Sequence, residues 1–357
     1  MTTRYLLLCF LLCLGLTDVS ATDKTISIRA ERIDTLRLSE IASDVTPVIL
    51  EKLEFSSLSG VLTTKDYLFV AGESAIAIYS YSGKKIRTIY FSTWLDCMAV
   101  DTVNQVIYAA IGRNKQVLGY NYLGKKVFEA GLNHEKKFDS ILSMLYHNSR
   151  LWFLTYRFDT KETAYEMFCY DFSFKRSFPI PFSRSEKREN GSVGISSTGT
   201  VSFWKDSPVV SISTDSVLFK VDSNKSTPIF QWRITPTEQS MFDKGILQKK
   251  GLAGRFLFVN YNRTDPKDRT GLNNTTFLYI EDLKTGKSYN LRFLKGEGNG
   301  IISGTGIDDI YSTGHFAFRS SMPDGNRFWF LKEVKDKMVG GRYVKGNVVI
   351  FIVKVKS

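Results

Sequence analysis

Five short stretches of this chain carry side chains suited to meeting a ligand: Trp94 with Asp96, Arg113 with Asn114, Tyr156 with Arg157, Asn260-Tyr261-Asn262-Arg263, and His315. Aromatic faces lie against sugars or peptide planes, and an arginine offers a planar fork of donors to a carboxylate. Trp94, Arg113, Asn114, Tyr156, Arg157, Tyr261, Arg263 and His315 are therefore the expected binding residues. Catalytic signals are thinner. Asp308-Asp309 would suit a hard cation or an acid–base pair, but neighbours in a strand point to opposite faces, so a turn role is expected. Lys295-Gly-Glu-Gly-Asn-Gly300 lacks the terminal Lys-Ser/Thr and the strand–loop–helix setting of a phosphate loop. No Gly-x-Ser-x-Gly elbow, His-Glu-x-x-His helix or Cys-x-x-Cys pair occurs, and His134, His147 and His315 stand well apart. Neither a metal nor a cofactor is expected, and enzyme activity is left open.

What positions such residues is a repeated cadence. Tyr67-Leu-Phe-Val, Ile76-Ala-Ile-Tyr-Ser-Tyr-Ser-Gly83-Lys-Lys-Ile86 returns as Val106-Ile-Tyr-Ala, Val117-Leu-Gly-Tyr-Asn-Tyr-Leu-Gly124-Lys-Lys-Val127. The turn glycines are about 41 residues apart, and such a period marks stacked β-modules. Aromatic and β-branched residues recur in short runs without helical spacing, so the chain is expected to be all-β. The predicted modules begin near residues 57, 95, 140, 192, 245 and 316, the fourth being the least regular. Its strands are expected at 192–196, 201–204, 217–221 and 229–234, and the fifth module opens at 245–248. The sixth module is one strand short. Extended residues in the lead-in, at 25–30, 36–38 and 48–50, would supply it and lock both termini into one sheet. This predicts a six-bladed β-propeller of four-stranded antiparallel blades, closed by the N-terminal strand, with seven blades if 184–237 hides another.

The chain has 357 residues, 43% of them hydrophobic and 13% aromatic, enough for a large core. Residues 1–21 read as a signal peptide: Arg4, an apolar run from Tyr5 to Leu16, and the small-residue site Val19-Ser20-Ala21. That run falls short of the roughly 20 residues a spanning helix needs. Cys9 and Cys13 each follow a leucine within it, which argues against a lipid anchor. The expected protein is residues 22–357, one propeller domain with 22–56 as closing strand and lead-in, exported to the periplasm or cell surface. Cys97 and Cys169 are expected to be buried free thiols. A net charge of +12 favours anionic partners, and export with no recognition-helix pattern excludes nucleic acid. The turns at Gly83-Lys-Lys, Gly124-Lys-Lys, Lys175-Arg176 and Thr285-Gly-Lys should share one face as a basic rim, either a docking surface or ordinary hairpin chemistry.

Three places carry a family resemblance: Leu36-Arg-Leu-Ser-Glu-Ile-Ala-Ser-Asp-Val-Thr-Pro-Val-Ile-Leu-Glu51, the Tyr67 to Ile86 module, and Asp308-Asp-Ile-Tyr-Ser-Thr-Gly-His-Phe316. Over nearly all of its length after the leader, the chain resembles the NHL-like six-bladed β-propellers exported by gut-type Gram-negative bacteria. It departs from them at Ser92-Thr-Trp-Leu-Asp96, where the family has a Gly-rich segment, at Tyr311-Ser-Thr313, and in lacking a lipobox. The resemblance implies the fold and export and is nearly silent on activity, since propellers host binders and enzymes alike. The expected function is non-catalytic binding of a glycan, peptide, anionic ligand or envelope protein over the central channel. The alternatives are a propeller hydrolase or lyase acting on a glycan or lactone, and a structural scaffold for an envelope protein.

Overall fold

The structure is a computed structural model. It describes residues 24–357 except 30, 52–54, 56–57, 113–114, 133–137, 159–161, 174, 188–198, 213–214, 236–248, 265–273, 296–300, 323, 335–336, 340–341 and 345–346. The expected signal peptide and residues 296–300 thus lie outside the described residues. No helix among the described residues is long and apolar enough to cross a membrane.

The chain opens with β1 (Lys24–Arg29), β2 (Leu36–Arg37), the short helix α1 (Leu38–Ile41) and β3 (Ala42–Ile49). A first antiparallel sheet follows, β4 (Gly60–Thr63), β5 (Tyr67–Ala71), β6 (Ala75–Ser80) and β7 (Lys85–Tyr90), paired in chain order. The second holds β8 (Cys97–Asp101), β9 (Val106–Ile111), β10 (Gln116–Asn121) and β11 (Lys126–Gly131). The third holds β12 (Ser140–His147), β13 (Arg150–Phe158), β14 (Glu162–Asp171) and β15 (Arg176–Lys187). In the fourth, β16 (Gly199–Trp204), β17 (Ser207–Ile212), β18 (Val217–Val221) and β19 (Ser226–Thr235) gain β1 as a fifth, parallel strand. The fifth runs β20 (Lys249–Ala253), β21 (Phe256–Thr264), β22 (Asn274–Asp282), β23 (Ser288–Lys295) and β24 (Ile301–Gly304). A small sheet then joins β2 to β25 (Gly306–Asp308) and β26 (Gly314–His315). The last sheet has the order β27 (Ser320–Ser321), β28 (Arg327–Val334), β31 (Asn347–Val355) and β3, with a hairpin of β29 (Lys337–Val339) and β30 (Arg342–Val344) between β28 and β31. This is an all-β propeller of antiparallel blades.

Several expectations need correction. Among the described residues, seven sheets of three or more strands are present, where six blades were expected. The seventh does not lie in 184–237; it is the small sheet, which satisfies the backbone between β24 and β27 by pairing it with Leu36 and Arg37. The lead-in is not one strand. Residues 24–29 run parallel to β19, 36–37 join the small sheet, and 42–49 pair antiparallel with β31. In the fourth sheet, Ser207–Ile212 forms a strand the sequence did not announce, because its hairpin turn uses Lys205 and Asp206 at φ 47° and 59° instead of glycine. The expected strand at 192–196 lies outside the described residues, as does 245–248. The fifth sheet opens at Lys249, and the last opens at Ser320, later than the expected 316–319.

Alternation along each strand sends apolar side chains to both neighbouring sheets, so the core is a series of slabs between sheets. The buried apolar residues described fall into six clusters. One joins the first sheet to the second through Phe69, Ile78 and Ile107; another joins the last to the first through Val48, Trp329, Ile350, Leu68 and Tyr79.

The cadence has a physical cause. The Tyr81 and Tyr122 hydroxyls donate to the carbonyls of Thr64 (2.7 Å) and Asp101 (3.4 Å), tying each strand-three turn to the strand-one turn of its own sheet. Two residues on, Gly83 and Gly124 take φ of 84° and 77°, and each packs against the outer strand of the preceding sheet. A Cβ on Gly83 would lie 1.7 Å from the Ile49 carbonyl oxygen, whereas one on Gly286 (φ 72°) would meet nothing within 4 Å. Gly286→Ala should therefore cost about 1 kcal/mol for the left-handed backbone alone. Gly83→Ala should cost about 3 kcal/mol, because β3 must also move. Urea denaturation of the two variants checks this; equal losses would mean that the close approach to Ile49 is unimportant.

Candidate functional site

In these sheets the turns joining strands one to two and three to four share one side. The connections from strand two to three, and from sheet to sheet, share the other. Trp94, and Tyr156 and Arg157 at the end of β13, lie on this second side.

Trp94 sits between β7 and β8 on a segment fixed at both ends. Phe91 N–H donates to the Ser74 carbonyl (2.9 Å) and Leu95 N–H to that of Glu73 (2.7 Å). The Leu95 side chain is buried. Asp96 N–H donates to Ala110 O at 3.0 Å, and its Oδ2 accepts from Ser140 Oγ (3.0 Å) and Ile141 N–H (2.9 Å). Gly112 leaves room for this carboxylate, since a Cβ there would lie 2.1 Å from Oδ2. Trp94 itself is 63% exposed. A large rigid ring is held out on a backbone with little freedom.

The frame continues into the third sheet. Asp139, next to Ser140, donates its N–H to the Tyr156 carbonyl (2.9 Å) and accepts from Phe158 N–H at Oδ2 (2.5 Å). Hydrogen bonds thus link the Trp94 segment to the end of β13, where Tyr156 is half-buried and Arg157 and Phe158 are exposed. The Arg157 guanidinium stands 3.9 Å from Glu162, a carboxylate that also accepts from Ser185 Oγ (2.7 Å). Sequence reasoning named Trp94, Tyr156 and Arg157 but gave no framing role to Asp139 or Ser140. Their signal is weak, an acidic residue just before an inner strand in Asp96-Cys97 and again in Asp139-Ser140.

The other expected residues divide. Arg113 and Asn114 lie outside the described residues, and only the backbone of Arg263 is described, within β21. Tyr261 belongs to the core and not to the surface: it is 1% exposed, stacks on Phe277 at 5.1 Å, and its hydroxyl donates to Asn290 Oδ1 (2.9 Å). Asn260 Nδ2 donates to the Phe318 carbonyl (2.8 Å), so it joins the fifth sheet to the segment entering the last. His315 is half-buried in the small sheet, edge-on to Phe293 at 6.4 Å.

Carboxylates at strand ends shape turns. Asp101, Asp222, Asp282 and Asp308 each accept from the backbone amides two and three residues ahead. Asp308 also accepts from Thr313 Oγ1, and Asp309 accepts from both N–H and Oγ of Ser39, so the Asp308-Asp309 pair takes the turn role. The amides of Asn224 and Lys225 hold the Asp222 carboxyl below its ordinary range. Among the described residues, no group of three or more His, Cys, Asp or Glu is placed to hold a metal ion. Cys97 and Cys169 are free thiols; Cys169 is buried as expected, but Cys97 is only partly buried, because it stands at the start of β8. Desolvation pushes both upward in pKa, with Asp96 adding to the rise of Cys97.

If Asp96 is the clamp of this frame, Asp96→Ala should lower stability by about 2 kcal/mol, because the Ile141 amide loses its partner. The same variant should loosen the segment carrying Trp94. Chemical denaturation, together with the polarisation of Trp94 fluorescence in a variant lacking the other tryptophans, checks both. An unchanged midpoint and unchanged polarisation would remove Asp96 from this role.

No protein-family model matches the chain, and no curated protein matches it significantly. Solved structures do. The chain is similar to a protein of Bacteroides fragilis described as a candidate exported protein, with a TM-score of 0.65 at 14% identity over 94% of this chain and 100% of that one. It is also similar to a member of the DUF4221 family from Bacteroides vulgatus, with a TM-score of 0.53 at 10% identity over 88% and 98%. At such identities the likeness establishes the β-propeller fold and nothing of the chemistry.

Proposed function

We propose that this chain is an exported, non-catalytic recognition propeller that binds a glycan, peptide or anionic ligand on its loop side, at the periplasmic or outer surface of the cell envelope. The observation that carries the reading is Trp94, 63% exposed on a segment fixed by hydrogen bonds on both flanks. Rigid, exposed aromatic side chains give contact area at low entropic cost, which is what a prepared binding surface needs. Arg157, on the same hydrogen-bonded frame, supplies donors for a carboxylate or sulfate. Arg113 and Asn114, which follow β9 in sequence, and Arg263, near the end of β21, complete the proposed set. Export is supported by the leader at residues 1–21 and by the description of the Bacteroides fragilis neighbour. The same reading takes β3 as the strand that closes the ring.

The test is a thermal-shift panel of acidic and neutral glycans, peptidoglycan fragments and divalent cations at low and moderate salt. A ligand at a hundred times its Kd should stabilise the protein by about 2.7 kcal/mol, a shift of a few degrees. That shift should survive moderate salt and should vanish in both Trp94→Ala and Arg157→Ala. A ligand whose shift persists in both variants, or a panel with no shift at all, would contradict the reading.

A further inference from the structure

The opposite side of the molecule carries a second surface. The turn of the first sheet holds Lys84, Lys85, Ile86 and Arg87, and the corresponding turn of the second holds Leu123, Lys125, Lys126 and Val127. Among these, Ile86 is 48% exposed, Leu123 75% and Val127 51%, while Val103 on the neighbouring strand-one turn is 87% exposed. Two contacts draw the turns that bear these four residues together. Tyr122, just before Leu123, donates to Asp101 O and so draws the Leu123 turn towards the turn bearing Val103. A Cβ on Gly124 would touch the Arg87 side chain at 2.5 Å, which sets the Leu123 turn against the strand bearing Ile86.

Their exposure is built in. Tyr79 pairs with Lys85 and Ile78 with Arg87, leaving Ile86 as the extra residue of a bulge. In the second sheet Tyr120 pairs with Lys126 and Gly119 with Phe128, leaving Val127 in the equivalent place. A bulge re-aims the side chain it carries. The turns that present them are fixed by local bonds: Asn121 Oδ1 accepts from Leu123 N–H (3.1 Å) and Lys125 N–H (2.9 Å), and Gly83 N–H donates to Ser80 O (2.9 Å). Of the nearby acids, Glu129 pairs with Lys126 at 2.6 Å, Glu51 accepts from the Lys85 amide, and Asp66 stands beside Lys65. Lys84, Lys125 and Arg87 remain exposed around the apolar tips.

We propose that this surface docks on an anionic lipid bilayer, with Val103, Leu123, Val127 and Ile86 entering the headgroup zone and Lys84, Lys125 and Arg87 meeting lipid phosphates. Charge complementarity and the pattern of the patch single out this occupant. Protein interfaces gather apolar residues at a core from which lysine is depleted. Here cations and apolar tips are interspersed on the same short turns, Lys84-Lys85-Ile86-Arg87 and Leu123-Gly124-Lys125-Lys126-Val127, which suits the headgroup boundary. Docking in this way would turn the loop side bearing Trp94 away from the membrane.

The test compares the full-length chain on vesicles of phosphatidylcholine alone and with a third phosphatidylglycerol. The readout is the ratio of the two partition coefficients, so that any contribution of residues 1–21 is common to all variants. The ratio should exceed about tenfold for the parent and fall when NaCl rises from about 0.1 to about 0.5 M. Lys84→Gln/Lys125→Gln should reduce it about tenfold. Leu123→Ser/Val127→Ser should reduce partition to the anionic vesicles about tenfold, and Ile33→Ser, equally apolar and exposed elsewhere, should not. Thermal melting confirms that each variant is folded. A parent ratio near one, or a loss confined to the lysine variant, would overturn the proposal; the latter would point instead to an acidic polymer held by charge alone.

Discussion

The sheet that holds the C-terminal strand is the constraint on which the rest of this molecule depends. β31 has β28 on one side and β3 on the other, and Ser43 Oγ reaches the Val355 carbonyl across 312 residues of sequence. Without β3 the backbone of β31 would be an open edge, which proteins avoid. Val48 and Leu50, carried by the same segment, also belong to the slab between the last and first sheets. One strand therefore satisfies an edge and supplies a core. So remote a pairing closes a long loop of chain, which makes it entropically costly to nucleate.

From that slab the packing passes around the molecule through contacts between neighbours. The turn glycines belong to the same system: Gly83 sits against the Ile49 carbonyl of β3, and Gly124 against Arg87 of the first sheet. Each turn is both the end of its own hairpin and a seat for the strand before it. This explains why glycine, tyrosine and lysine recur together. Glycine allows the close approach, tyrosine ties two turns of one sheet, and the lysines are left at the solvent side. The two sides differ accordingly, with an aromatic and arginine frame on the loop side and basic, apolar-tipped turns on the other.

The legibility of the sequence follows these causes. The first two sheets could be read to within three residues because their turns use glycine and their strands alternate cleanly, at Tyr67–Ala71 and Val106–Ile111. In the fourth, the runs at 201–204, 217–221 and 229–234 were read as strands but β17 was missed, since Lys205-Asp206 turns the chain without glycine and Pro208 looks like a break. The small sheet was invisible, because two residues at 36–37 and two at 314–315 have no periodicity to detect. Trp94 was legible as a loop residue flanking an apolar run, whereas Tyr156 and Arg157, expected in a loop, lie in β13 paired with Tyr165 and Ala164, because that strand runs on to Phe158. Tyr261 was misread for a similar reason: the polar neighbours Asn260 and Asn262 suggested a loop, but β21 continues to Thr264 and its alternation sends the tyrosine inward. Asp139 was not assigned a role because its partners, the backbone of Tyr156 and Phe158, come together only in three dimensions.

Hydrogen exchange along β31 tests the central claim most directly. Val48 is fully buried between the last and first sheets, and Val48→Asp places a charge there. If the pairing of β3 with β31 holds the array together, amides of β31, β28 and the first sheet should all lose protection in this variant, with a common opening free energy. If only residues 42–49 exchange faster while β31 and the first sheet keep their protection, β3 is a peripheral strand and the account is wrong.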